Sequence, residues 1–305
     1  MAKINMKDQT IGVEIEMTGI TRKQVSLIVQ EHTGGQIHWK SNGGAVITGA
    51  DGRSWDVKYD GSIRAHSRPA AGHKMVPIQS GDSGRNEWIP EIATPILTYQ
   101  DIPMLQELVR KLFQAGARSG PELGCGIHVH VGADKHDARS LRNLVNIFSS
   151  KQALLYKALE VNPAREKTYA AKNSGLLTKI INEVKPQAVH GLGQTIQSIL
   201  SRTGTDRYQG LNLNAIWKVG TVEFRLFNGT LHAGKIKAYI QLALAISAQA
   251  INQRSATPAE TTSDNEKYTF RTWLLRLGLI GEEFDTARKH LLAALPGDAG
   301  GRRAA

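Results

Sequence analysis

Apolar and polar residues alternate over three short stretches of the chain, GVEIE at 12–16, GIHVH at 126–130 and VEFR at 222–225. Successive side chains of a strand point to opposite faces, so the pattern places Glu14 with Glu16, His128 with His130, and Glu223 with Arg225. Each pair shares one face, with its members roughly 7 Å apart along the strand. Val13, Ile15, Ile127, Val129, Val222 and Phe224 share the opposite face, which predicts packing against a core. Three strands with the same polar pattern predict one sheet whose free face is lined by carboxylate, imidazole and guanidinium groups. Such a face suits metal ions and phosphate.

Elsewhere the periodicity changes to that of helices. TRKQVSLIVQEHT (21–33) has helical spacing and stops at Gly34 and Gly35. IHWK and SWDVKYDGSI read as strands joined by Gly-rich turns, with Asp60 opening an Asp-Gly turn. From His66 to Pro90 the composition is Gly, Ser and Pro, which predicts a long mobile loop without regular structure, His66 and His73 being incidental to it. WIPEIATPIL predicts a strand ended by Pro95, and DIPMLQELVRKLFQAGA a helix with Asp101 as N-cap. After GIHVHVGAD comes a long helix to about Leu159, then a mainly helical region with loops at VNPA and HGLGQ. LNLNAIW and TVEFRLF read as paired strands, and helices follow over 235–252, 269–279 and 283–295. Strands and helices that do not strictly alternate predict an α+β fold. The expected organisation is one domain over 1–295 with a helical C-terminal part from 235, and a disordered tail at 296–305.

Composition narrows the chemistry. With 305 residues and 41% of them hydrophobic, the chain can bury a sizeable core. Cys125 is the single cysteine, so no internal disulfide forms, any metal must sit on oxygen and nitrogen, and a reducing, cytoplasmic setting is expected. MAKINMKDQT lacks the apolar core of a secretory signal, and IQLALAISAQAI at 240–251 falls short of the roughly 20 residues that span a bilayer. No membrane association is expected. A net charge of +11 and a pI near 9.7 predict attraction to anions: nucleotide phosphate, an acidic substrate, nucleic acid or another polyanion. A well-solvated basic surface accounts for the same excess, since no Lys/Arg block stands out.

Each candidate pair has an ordinary alternative. Glu14 and Glu16 disfavour a core-facing strand and need either a cation or an exposed edge strand. His128 and His130 offer imidazole nitrogen to a metal, or one orients the other, and the preceding GCG permits close backbone passage. Glu223 and Arg225 could hold a metal-bound phosphate or form a salt bridge. Glu91 has the same ambiguity. No GxxxxGK[ST] loop, GxGxxG fingerprint or GxSxG elbow is present, so a bound nucleotide would depend on metal ions and basic side chains. Cys125 lies three residues from His128 and five from His130, on the opposite strand face, which disfavours a Cys/His nucleophile.

The ordered set GVEIE, DGS (60–62), EIATP, GIHVHVG, RYQGLNLN and VEFRLFNGTL resembles the amidoligase family over roughly residues 10–235. That family is similar to glutamate-cysteine ligase and glutamine synthetase, in the carboxylate-amine ligase superfamily. The resemblance implies a curved, mainly antiparallel sheet of the glutamine synthetase-like type, helices on its convex face, and a concave face holding ATP and magnesium, with manganese as a substitute. It implies metal ligands at Glu14, Glu16, Glu91, His128 and Glu223 and a phosphate-gripping Arg225. Asp60 and Ser62 match a turn approaching substrate, while Arg207 and Asn212 match a segment near nucleotide or substrate. Arg225, Asp60 and His130 are then the catalytic candidates, and Arg225, Arg207, Asn212 and Ser62 the cofactor-binding ones. The implied reaction joins a carboxylate of an amino acid or peptide to an amine at the expense of ATP. Alternatives are a phosphotransferase on the same scaffold, a metal-dependent hydrolase using His128 and His130, and a basic protein that binds or modifies nucleic acid.

Overall fold

The structure, a computed structural model, describes residues 3–68, 74–185, 194 and 207–300. His73, the 190–194 loop apart from Gln194, and the tail beyond Gly300 lie outside the described residues. The strands are β1 Ile11–Glu16, β2 Gln36–Trp39, β3 Ala45–Thr48, β4 Ser54–Tyr59, β5 His66–Ser67, β6 Val76–Pro77, β7 Pro90–Ala93, β8 Gly126–Gly132, β9 Leu211–Asn212 and β10 Thr221–Asn228. The helices are α1 Arg22–Thr33, α2 Ile102–Gln114, α3 Ala138–Ala158, α4 Pro163–Thr168, α5 Gly175–Val184, α6 Ala215–Val219, α7 Ala233–Asn252, α8 Glu266–Arg276 and α9 Asp285–Leu292. This is an α+β fold. Its large antiparallel sheet runs β2-β3-β4-β7-β1-β8-β10-β9 and does not close into a barrel. Two compact units are present: Thr10–Val129 with Phe227–Lys237, and Met1–Gln9 with His130–Leu226 and Ala238–Ala305.

In the first unit, strand register separates an apolar face from a polar one. Ala45 pairs with Val57, Val57 with Ile92, and Ile92 with Ile15, so four apolar side chains form one row across β3, β4, β7 and β1. All four are fully buried, and α1 packs against β3, β4 and β7. A capping box between Thr21 and Gln24 starts α1, and Gly34, at φ 63°, ends it in the left-handed conformation. One residue along each strand, the register lines up Lys58, Glu91 and Glu16 on the other face. Because β1 lies between β7 and β8, an exposed edge strand does not explain its glutamates.

Several elements differ from the sequence reading. AVIT forms β3 inside what reads as a Gly-rich turn, because its short apolar run fills the gap between β2 and β4. The described parts of the 66–90 segment hold the β5–β6 pair and a 3-10 turn at Arg85–Trp88, so it is not an unstructured loop. His66 belongs to that framework: its backbone N–H donates to Thr18 Oγ1 at 2.8 Å. Only Leu211–Asn212 of LNLNAIW is a strand, since α6 occupies the connection to β10. Asp101 stands at the start of α2, but its carboxylate accepts from Thr98 and from both Arg53 Nη atoms, at 2.9 and 3.0 Å, instead of capping that helix.

In the second unit, Asp137 caps α3 through Ser140 N (2.7 Å), and His136 is buried just before it. His136 Nε2 lies 2.9 Å from Ser247 Oγ, which donates to Gln9 Oε1 at 2.6 Å, so the neutral Nε2–H tautomer completes the chain of bonds. Burial holds this imidazole down at about 4. The unfolded chain therefore takes up a proton near pH 6.5 that the native protein refuses until about pH 4, and stability falls as pH drops through that interval. The ceiling of this contribution is about 3 kcal/mol. A His136→Gln variant is expected to show a flatter stability profile between pH 6.5 and 4 by urea unfolding; parallel profiles would count against this account.

Among the described residues, no helix is long and apolar enough to cross a membrane.

Candidate active site

Six of the candidate residues meet in the first unit. Glu14, on β1, has its Oε2 2.8 Å from His128 Nδ1 on β8. His128 Nε2 lies 3.5 Å from Glu16 Oε1, and Glu16 Oε2 accepts the Gly126 N–H at 2.6 Å. One imidazole thus spans both β1 carboxylates.

Glu16, Asp60 and Glu91 each offer a carboxylate oxygen, and these oxygens lie within 4.8 Å of one another. Asp60 reaches the group from the turn after β4, where its Oδ1 accepts Ser62 N at 2.7 Å. Gly124 makes this approach possible: at φ 75°, a Cβ there would stand 2.6 Å from Ser62 O. The GCG segment therefore serves close passage of the Asp60 turn. Cys125 itself is buried against Ile63, Ala65, Ile89 and Leu123 and belongs to the core.

At an effective dielectric of about 20, two carboxylates at such a separation repel by about 3 kcal/mol. Burial, followed by the Glu14 charge, pushes Glu91 up to about 9, against the opposing pull of Lys58. Lys58 Nζ lies 2.9 Å from Glu91 Oε1 and 3.4 Å from Glu14 Oε1. For Lys58, burial favours the neutral amine, but Glu14 and Glu91 outweigh it and hold the ammonium above the usual lysine range. A protein cation thus already partly neutralises the carboxylates.

The second unit gathers the remaining candidates. Glu223 on β10 pairs directly with Asn212 on β9. Its Oε2 accepts Asn212 Nδ2 at 2.6 Å and its Oε1 accepts Arg225 Nη1 at 2.5 Å. The salt bridge foreseen as the alternative is therefore formed, with both partners buried. His130 Nδ1 is 2.8 Å from Thr221 Oγ1, and its Nε2 is 3.8 Å from Glu223 Oε1. Arg207 and Arg225 both approach the Tyr208 ring, at 5.1 and 5.7 Å from its centroid. Arg165 Nη2 donates to the Arg225 carbonyl at 3.0 Å.

Three participants were missed from sequence. Lys58 carries a legible signal, because Asp56, Lys58 and Asp60 alternate with Trp55, Val57 and Tyr59 in the same pattern as the three polar strands. Tyr208 lies inside a recognised motif without an assigned role. Arg165 has no local signal, since only tertiary packing brings α4 to Arg225.

No curated protein matches the chain. The family model described as "Putative amidoligase enzyme" matches residues 7–247, and the chain belongs to that family of ligase-type enzymes.

Proposed function

We propose that the protein is an ATP- and magnesium-dependent ligase that forms an amide between a carboxylate, of an amino acid or peptide, and an amine through an acyl phosphate. The observation that carries this reading is the cross-strand pair of Glu16 on β1 and Glu91 on β7, joined by Asp60 from the turn after β4 and flanked by Glu14 on β1 and His128 on β8. The donor set is oxygen-rich with one imidazole nitrogen, which fits magnesium and, through the nitrogen, manganese. The raised Glu91 points the same way: a divalent cation would favour the ionised carboxylate that burial and neighbouring charge oppose. Glu16, Asp60 and Glu91 would hold the ion, with Glu14 and His128 beside them. When bound, magnesium would neutralise phosphate oxygens and lower the barrier to their approach by an anionic acid.

The chain's own residues would do the remaining work. Arg225, fixed by Glu223 and by Tyr208, would grip the transferring phosphoryl group, with Arg207 and Asn212 near the nucleotide. Transfer forms a bond between the substrate carboxylate oxygen and phosphorus while ADP leaves. The amine then attacks the acyl carbon, the C–O bond breaks and phosphate departs. His130, oriented by Thr221, is suited to take the amine's proton, and the Asp60–Ser62 turn to position the acid.

The test is release of ADP and phosphate with magnesium across pools of amino acids and amines, with mass spectrometry of the product. An amide with free phosphate is the expected outcome; a persistent phosphorylated acid would instead make the protein a phosphotransferase, and turnover without ATP a hydrolase. Arg225→Lys keeps the charge but loses the planar fork, and turnover is expected to fall by about a hundredfold with little change in the KM for the amine.

A further inference from the structure

A cavity of about 810 Å3 opens in the second unit, and none of the candidate residues above lines it. Four cations do: Lys3, Lys7, Lys151 and Arg276. No carboxylate is among its lining residues, and Lys7 is paired with Glu283 at 2.6 Å. Among the described residues, Lys3, Lys151 and Arg276 take part in no ion pair. Lys151 is half-buried, donates to Thr261 Oγ1 and lies 5.9 Å from the centre of the Trp273 ring. Burial, then the Arg276 charge, lowers its pKa, as expected for an ammonium that lacks a nearby anion.

The rest of the lining is suited to an organic body. Ile147, Leu277, Phe284 and Trp273 supply apolar surface, while Gln249 is held by the Trp273 indole N–H at 3.1 Å. The N-terminal wall is pinned in place, because Ile4 N donates to Asn252 Oδ1 and Asn252 Nδ2 to Ile4 O, both at 2.9 Å. The cavity is therefore formed before any ligand arrives, and its volume falls in the usual range for small-molecule sites.

We propose that this cavity is a second ligand site, which takes a phosphate monoester carrying a small planar or apolar group. Three cations without acidic partners match a ligand of nearly two negative charges better than a monocarboxylate, and a phosphate monoester carries about −1.5 to −2 at neutral pH. Bare phosphate would leave the apolar wall uncovered.

Phenyl phosphate is a suitable probe, since it resembles neither ATP nor an amino acid. Titration calorimetry on the full chain, with Trp273 fluorescence as a second readout, is expected to show saturable binding that weakens with salt. Phenol, inorganic phosphate and benzoate should each bind at least about tenfold more weakly. Lys151→Met with Arg276→Gln should weaken phenyl phosphate at least about tenfold, whereas Glu16→Gln should leave it unchanged. No saturable binding, an unchanged Kd in the double variant, or equal binding of benzoate or inorganic phosphate would overturn the proposal. Should the double variant unfold, the exposed pair Lys3→Gln and Arg276→Gln decides: weakening of about threefold or more supports the site, and none removes it. The Glu16→Gln arm keeps this result independent of the ligase reading.

Discussion

Glu16→Gln is expected to yield a folded protein whose magnesium-dependent ADP release is lower by on the order of a hundredfold or more. Glutamine keeps the side-chain length and an oxygen able to accept the Gly126 N–H, now made at 2.6 Å, so the link between β1 and β8 survives. What disappears is one negative charge from a buried carboxylate that shares its surroundings with Asp60 and Glu91. The cation then has a neutral amide oxygen where it had a charged one. Thermal unfolding and circular dichroism would check the fold, and steady-state turnover over a magnesium series would check the activity. Turnover within a few-fold of the parent at equal magnesium would take Glu16 out of the ion's ligand set.

The second large effect separates stability from function. Glu91 sits at about 9 in the native protein and near 4.5 when exposed, so between those values the folded chain holds a proton that the unfolded chain has released. Without metal, stability should therefore decline as pH climbs from about 4.5 towards 9, and level off above it. Glu91→Gln removes that titration. The variant should match the parent at pH 5 and become progressively the more stable of the two towards pH 9, although Lys58 then relies on Glu14 for its ion pair. Manganese at a hundred times its Kd should stabilise the parent by about 2.7 kcal/mol and the variant far less. Urea unfolding at pH 5, 7 and 9, with and without manganese, reads both effects. Equal stabilisation of the two proteins by manganese, or parallel pH profiles, would contradict the assignment of Glu91.

Both variants depend on a geometry only partly written in the chain. That Glu14 and Glu16 share a face, and that Val13 and Ile15 share the other, follows from the alternation of a strand, a property of neighbouring residues. The same is true of His128 with His130 and of Glu223 with Arg225, and of α1, whose cap residues lie within the helix ends. The segments that misled did so where local pattern was weak. AVIT is too short to announce a strand without its partners β2 and β4, and the Pro- and Gly-rich 66–90 stretch pairs through backbone bonds that leave no side-chain periodicity.

The amino-acid order alone thus determined which side chains leave each strand together, the α+β class, and the set of ionisable groups available for chemistry. Tertiary structure alone decided that Glu91 faces Glu16 and Lys58, that Asp60 joins them over Gly124, and that Arg165 supports Arg225. The reason is physical: alternation is set by bond geometry between adjacent residues, whereas register and burial depend on where distant strands dock. A one-residue slip of β7 would turn Glu91 into the core and leave the local sequence pattern unchanged.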